Sequence, residues 1–359
     1  MTGNGDRFRI RDRVPAARAL APIGVGRTHV RGLAHVAAVC TVAAALTFLA
    51  SAASARMSWS GPRPIGPSNG QPVTPIACPS AHQCTVLDGP GALTFDPGSS
   101  LPSVDRSLPA EEYGLACPLT TLCTAVTDGG RELSFDPERP GALRSRSLGR
   151  LYQPSGVACA SSRECVTVGA GAEVGAEVAY DPLTGGRVGH RFRDPDVFTF
   201  TGGLACPTRT ECVALDDLNE IAITFSPLTG RVLVQTGVPV KRYTAPALVG
   251  LACPGRRLCV AVDSGGDESV FDPLISQRRR HGRRVNHPGT LVGVACASEQ
   301  ECVAIDPHGF ALSGAPGRRG WQATRLSAVG LTGVACPSAS ECVVVDGAGE
   351  AYVGAVPAD

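Results

Sequence analysis

Fourteen of the fifteen cysteines fall into seven Cys-x5-Cys pairs: Cys78/Cys84, Cys117/Cys123, Cys159/Cys165, Cys206/Cys212, Cys253/Cys259, Cys296/Cys302 and Cys336/Cys342. Successive first cysteines lie 39, 42, 47, 47, 43 and 40 residues apart, a mean of 43. The unit fills residues 56–359, so no second domain fits beside it. Six copies read Gly-(Leu or Val)-Ala-Cys, and the first reads Pro75-Ile76-Ala77-Cys78. Proline follows the first cysteine in five copies. Small and β-branched residues follow the second cysteine, and Asp stands at the fourth position after it in five copies.

Each unit holds four short apolar segments bounded by Gly, Pro and Asp, with no 3.6-residue periodicity. Four strands at a period near 43 describe a blade of a β-propeller, and seven copies make a ring. A β-helix repeat is much shorter. The predicted fold class is therefore all-β, a seven-bladed β-propeller over 56–359 that acts as a monomer. The last unit stops after its third strand, and Met57 to Ser60 aligns with the fourth-strand segment that holds Trp321. The strand at the start of this region should complete the last blade and remove an open edge.

Five residues between cysteines suit a tight turn between antiparallel strands, with the sulfurs facing each other. Zinc would ask for Cys-x2-Cys pairs or added histidines, and no His recurs with the unit. Seven local disulfides are expected, each worth about 2.4 kcal/mol by loop-closure entropy. Their expected role is local, a clamp on the hairpin of one blade where the core is thin. The Ala before each first cysteine is expected to let strands approach closely. Neither a metal nor a cofactor is expected.

The first 55 residues carry seven Arg, then an apolar centre from Leu33 to Ala50, then Ala53-Ser54-Ala55. That order reads as a secretory signal peptide cleaved after Ala55, with an uncleaved anchor over 32–55 as the alternative. Its removal leaves 26 basic against 30 acidic residues, where the whole chain has a net charge of +1. Neither balance argues for nucleic acid. Export, to the extracellular space or the cell envelope, would place the cysteines where thiols oxidise.

The text Ala335-Cys336-Pro337-Ser338, with Cys342-Val343-Val344-Val345 after it, resembles the propeller repeats of secreted actinobacterial proteins that carry an SCPSxxxCxAV motif. The resemblance covers essentially all of 56–359. It implies the architecture and export, and says almost nothing about activity. The regulator-of-chromosome-condensation repeat is similar in rhythm, but its Gly-Gln-Leu-Gly text is absent, as are sialidase Asp boxes and the Trp-Asp dipeptide.

Gly66-Pro67-Ser68-Asn69-Gly70 matches a nucleophile-elbow pattern but lies among prolines, and Asp263-Ser264-Gly265-Gly266 occupies a turn. Asp88, Asp216, Asp263, Asp306 and Asp346 would either ring the channel as an acidic rim or form Asp-Gly hairpin turns. The clusters Arg278 to Arg280 with Arg283 and Arg284, Arg144 and Arg146, Arg191 and Arg193, and Arg318 and Arg319 fall near fourth strands. They would guard outer edges or grip a polyanion. The longest inter-blade connections hold Phe198, Phe200, Lys241, Arg242, Tyr243, Asn286 and His287, the preferred candidates for ligand contact. The expected role is a non-catalytic scaffold for a protein or cell-wall polysaccharide. The alternative is a hydrolase or lyase with carboxylates around the channel. Thiol titration of the denatured, unreduced protein without residues 1–55 should find essentially no free thiol. Many free thiols would overturn the disulfide assignment.

Overall fold

The computed structural model describes residues 57–66, 75–99, 103–109, 112–139, 141, 143–149, 151–170, 175–189, 193–194, 200–238, 247–276, 282–285 and 289–356. Seven antiparallel sheets form seven blades. Six have four strands, and in blade 3 the outer strand is broken into Gly186–Arg187 and Arg193–Asp194. The first strand of each blade is innermost and contacts the first strands of both neighbours, all the way round. The ring closes as expected: Ser58–Pro64 pairs antiparallel with Glu350–Ala355 and supplies the fourth strand of blade 7.

The cysteines are bonded as Cys78–Cys84, Cys117–Cys123, Cys159–Cys165, Cys206–Cys212, Cys253–Cys259, Cys296–Cys302 and Cys336–Cys342, with Cα atoms 3.9–4.1 Å apart. In blades 3 and 6 the register shows Cys159 directly opposite Cys165 and Cys296 opposite Cys302. An odd number of intervening residues cannot close on a two-residue turn unless one strand carries an extra residue. The register shifts by one at this point in every blade, as between Ala77 and Ser80. The extra residue is the one after the first cysteine, a proline in five blades. A bulged residue has no ladder partner, so a missing N–H costs nothing there. The turns are held by side chains: the Oγ atoms of Ser80, Ser161, Ser298 and Ser338 accept from the N–H two residues on, at 3.2–3.3 Å.

The core is divided into seven clusters, each made by two adjacent blades. Here the expectation of a purely local disulfide needs correction. Cys84, Cys123, Cys165, Cys212, Cys259, Cys302 and Cys342 are fully buried, at 0% exposure. Each packs against the preceding blade: Cys84 with Val343, Cys123 with Leu87, Cys165 with Val126 and Cys212 with Val166. Cys259 joins Val213, Cys302 joins Val260, and Cys342 joins Val303 in the same way. These seven are core residues as much as halves of a clamp, and no ligand reaches them from solvent. The physical reason is the strand they occupy. The second strand lies in the middle of its sheet, so its side chains are covered by neighbouring blades, whereas Cys78, Cys117 and the other first cysteines are only half-buried.

In blades 1 to 5 the third-strand residue opposite the second cysteine is aromatic: Phe95, Phe135, Tyr180, Phe225 and Phe271. In blades 6 and 7 it is Gly314 and Gly354. A Cβ at Gly314 would lie 2.8 Å from the Trp321 ring, and one at Gly354 would lie 2.8 Å from the Trp59 ring. The two tryptophans of the chain, Trp59 in the fourth strand of blade 7 and Trp321 immediately before that of blade 6, thus supply the ring that the third strand lacks.

Close approach of the inner strands falls on the glycine of Gly-φ-Ala-Cys rather than on the alanine. A Cβ at Gly114 would sit 2.8 Å from Val157 N, and one at Gly250 would sit 3.0 Å from Val294 N. Ala77, Ala205, Ala252 and Ala335 pack beside the interface clusters. Trp321→Ala should cost about 3–5 kcal/mol, as a large aromatic removed from a core does. Adding Gly314→Phe to it should recover a large part of that loss in chemical denaturation, whereas Gly314→Phe alone should destabilise. Additive losses would refute the exchange.

Candidate functional site

The five recurrent aspartates lie in the turns between second and third strands, on the face where the inter-blade connections begin. Backbone bonds join the two, as from Leu148 N to Gly130 O and from Leu326 N to Gly309 O. All five side chains are buried, at 0–3% exposure. Asp306 Oδ1 accepts from His308 N at 2.9 Å and Phe310 N at 2.8 Å. Asp263 and Asp346 hold the same two positions of their own turns. In blades 5, 6 and 7 the turn is therefore a four-residue Asp-x-x-Gly loop rather than a two-residue Asp-Gly hairpin. Its Gly takes a positive φ of 85°, 90° and 79° at Gly266, Gly309 and Gly349. The blade 4 turn is one residue longer, and there Asp216 accepts from Asn219 through both oxygens. Asp88 in blade 1 is equally enclosed. The carboxylates of Asp216, Asp263, Asp306 and Asp346 are directed at groups of their own turns. Burial first, then the neighbouring Asp267, pushes the Asp263 carboxyl above its ordinary value.

Blade 7 adds a constellation that the repeat does not share. Ser327 Oγ donates to Asp346 Oδ2 at 2.6 Å, and Tyr352 Oη lies 3.2 Å from Asp346 Oδ2 and 3.1 Å from Glu350 Oε2. Burial pushes the Tyr352 phenol up to about 12. Its signal in the sequence is a tyrosine where the other blades carry Leu93, Leu133, Val178, Ile223, Ser269 and Leu312.

Several arginines of the fourth strands act between blades. Arg63 donates to Pro97 O at 3.0 Å. Arg106 donates to Asp136 O at 3.0 Å and to the carbonyls of Arg139 and Gly141, with its guanidinium 5.3 Å from the Phe135 ring centroid. Arg144 reaches Leu183 O, and Arg283 reaches Gly317 O. Each reaches the third-to-fourth-strand turn of the next blade, and Thr236 does the same in blade 4, donating to Ile275 O at 3.0 Å. Arg63, Arg106, Thr236 and Arg283 share one register position. Arg284 pairs with Asp267 at 3.1 Å. Arg318 and Arg319 precede their fourth strand, Gln322–Arg325, and are not part of it. Arg191 and Arg278 to Arg280 lie outside the described residues.

A second inter-blade contact escaped the sequence reading, although its signal is a Glu or Gln before the second cysteine in five units. Glu164 accepts from Arg209 of the next blade at 3.2 Å, and Glu211 from Arg256 at 2.8 and 2.6 Å. Gln83 donates to Thr120 O at 2.9 Å. The Arg256 bonds hold the Glu211 carboxyl below its usual range. Beside this contact a recess of about 580 Å³ is lined by Thr210, Glu211, Thr229, Arg231 and Leu233 among others.

Of the connection residues, Phe200 is described, and it is buried in the core between blades 3 and 4. Phe198, Lys241, Arg242, Tyr243, Asn286 and His287 lie outside the described residues. Among the described residues no group of three or more His, Cys, Asp or Glu is placed to hold a metal ion. No helix there is long and apolar enough to cross a membrane.

No protein-family description matches the sequence, and no curated protein matches it. Among solved structures, one titled "Structure of U3-55K" matches with a TM-score of 0.65 and 8% identity, over 82% of this chain and 100% of that one. That likeness concerns the fold. This chain is a seven-bladed β-propeller.

Two buried or half-buried carboxyls make stability depend on pH. Burial raises Glu268 and Glu301 from 4.5 to about 7. The folded state then holds these protons more tightly than the unfolded chain does. The stability they add is full below about pH 4.5 and is lost as pH rises through 7. Melting temperature should therefore decline across that window, and Glu268→Gln with Glu301→Gln should flatten the decline. An unchanged slope in the double variant would refute the assignment.

Proposed function

We propose that the protein is an exported, non-catalytic binding scaffold, a disulfide-clamped ring that presents its inter-blade connections to a protein or a cell-envelope carbohydrate. The observation that carries this reading is where the repeated polar groups are used. Asp216, Asp263, Asp306 and Asp346 cap their turns, and fourth-strand arginines and first-hairpin glutamates tie one blade to the next. The groups left for recognition are those that do not repeat. The longest connections, before Cys206, Cys253 and Cys296, follow one another round the ring and carry Phe198, Lys241, Arg242, Tyr243, Asn286 and His287. Aromatic, cationic and amide side chains on loops of a rigid frame suit a polar ligand surface. Seven disulfides fit an oxidising compartment.

The test is a glycan array together with pull-down from cell-envelope fractions, using the wild type and a Lys241→Ala/Arg242→Ala/Tyr243→Ala variant of unchanged melting temperature. The variant should retain less than about a tenth of the wild-type signal, the loss expected when anchor residues at a contact are truncated. Equal retention would move the site elsewhere, and turnover of a bound glycan would replace binding with catalysis.

A further inference from the structure

In blades 1 to 5 the residue after the third-strand aromatic precedes a proline. It is Asp96, Asp136, Asp181 and Asp272 in blades 1, 2, 3 and 5, and Ser226 in blade 4. Each aspartate Oδ1 caps the turn that follows, accepting from Gly98, Glu138, Leu183 and Leu274 N. In blades 2, 3 and 5 the other oxygen faces an arginine: Arg139 at 4.0 Å, Arg163 at 3.7 Å and Arg257 at 3.1 Å. Blade 4 has an arginine at this place without the carboxylate. Ser226 pairs across the strands with Arg231, and Arg231 makes no ion pair among the described residues.

Arg231 and Ser226 both line the recess of about 580 Å³ at the end of this blade, a volume within the ~300–1,000 Å³ range of small-molecule sites. Glu211, Ser226 and Arg231 form a row across three adjacent strands. Glu211 and Ser226 stand one step beyond the Cys212–Phe225 pair, and Ser226 is opposite Arg231. Two strand spacings of ~4.8 Å place the carboxylate strand about 10 Å from the guanidinium strand. Thr210 and Thr229 add hydroxyls, and Val232 and Leu233, the latter 47% exposed, add an apolar wall. Glu211 accepts from Arg256 at 2.8 and 2.6 Å, so its charge is balanced from blade 5. A carboxylate has about four acceptor sites, so capacity for further O–H donors is left. The charge of Arg231 is the one in the lining that has no counter-ion.

We infer that this recess binds an acidic sugar, a uronate unit of a polysaccharide, whose carboxylate takes beside Arg231 the place that aspartate holds beside arginine in blades 2, 3 and 5. A guanidinium grips a planar carboxylate through two parallel N–H bonds. The ring hydroxyls then meet Thr210, Ser226, Thr229 and the spare acceptor sites of Glu211, and the C–H face of the sugar lies on Leu233. A phosphate polymer would bring further negative charge up to Glu211, which repels it. The recess lies among first hairpins and third-to-fourth-strand turns, on the face opposite the inter-blade connections. It therefore does not depend on what those connections bind.

Isothermal titration calorimetry with digalacturonic acid, its dimethyl ester and acetate tests this. The wild type should bind the diacid with a dissociation constant of about 0.1–1 mM, as suits one open recess. The ester and acetate should bind about tenfold more weakly or not at all. Arg231→Gln should lose about tenfold or more for the diacid, the loss expected when a charge-assisted hydrogen bond is removed. Ser226→Asp should do the same by supplying the carboxylate from within, at an unchanged melting temperature, since Asp precedes this proline in four other blades. The Lys241→Ala/Arg242→Ala/Tyr243→Ala variant should bind the diacid as the wild type does. A wild type that does not bind the diacid, or binds the ester or acetate equally well, overturns the proposal. So does undiminished binding by Arg231→Gln, which lies at an exposed position and decides the matter if Ser226→Asp melts early.

Discussion

A blade of four strands cannot bury either of its own faces, and every other feature of the molecule follows from that. Each sheet is covered by its two neighbours, so the hydrophobic core exists only as contacts between blades. The buried second cysteine and the ring beside it, as in Cys84 with Phe95 or Cys259 with Phe271, anchor these contacts. Where the third strand offers glycine, a tryptophan at or just before the next strand fills the place. The disulfide therefore has two roles, closing a hairpin and placing a compact apolar sulfur in the interface.

Polar side chains extend the same logic to both faces and the rim. Arginine forks hold carbonyls of the next blade's turn, and Glu164 and Glu211 hold arginines of the next blade's first hairpin. Such bonds join groups that would otherwise be left partly desolvated without partners. This explains how a chain with 18% charged residues and 5% aromatics sustains a closed ring. It also concentrates recognition in residues that break the repeat.

Seven pairs at a period of 43 made the blade count, the disulfides and the closing strand legible in the sequence, because covalent spacing and repeat phase survive without side-chain geometry. Direction was not legible. Nothing in Cys-x5-Cys tells which sulfur faces the neighbouring blade, and Cys123 and Cys212 show that it is the second. An Asp before Gly looks the same whether its carboxylate faces solvent or its own turn, and Asp306 faces its turn. Arg106 reads as an edge charge until its partners, three carbonyls some thirty residues on, are known. The proline after cysteine was visible, but its use at a bulge depends on register. The Gly314 and Trp321 exchange was readable in principle, since the repeat loses an aromatic and gains one seven residues later. Phe200 was chosen for its place in a long connection, and it packs inward because the inner strand of blade 4 begins with it.

The strand that completes blade 7 joins residues 297 positions apart, as Ser58 and Ala355 show. Six blades assemble from hairpins whose partners lie within one repeat, and their loop-closure cost is small. The seventh needs a chain-spanning encounter that the finished arc of six must first bring within reach. Assembly is thus split in kinetic character, with fast local zippering followed by one slow long-range latch. Until that latch engages, the outer edge of the last sheet and the Trp59 ring are left in water. Anything that acts on the unlatched arc has this interval in which to act.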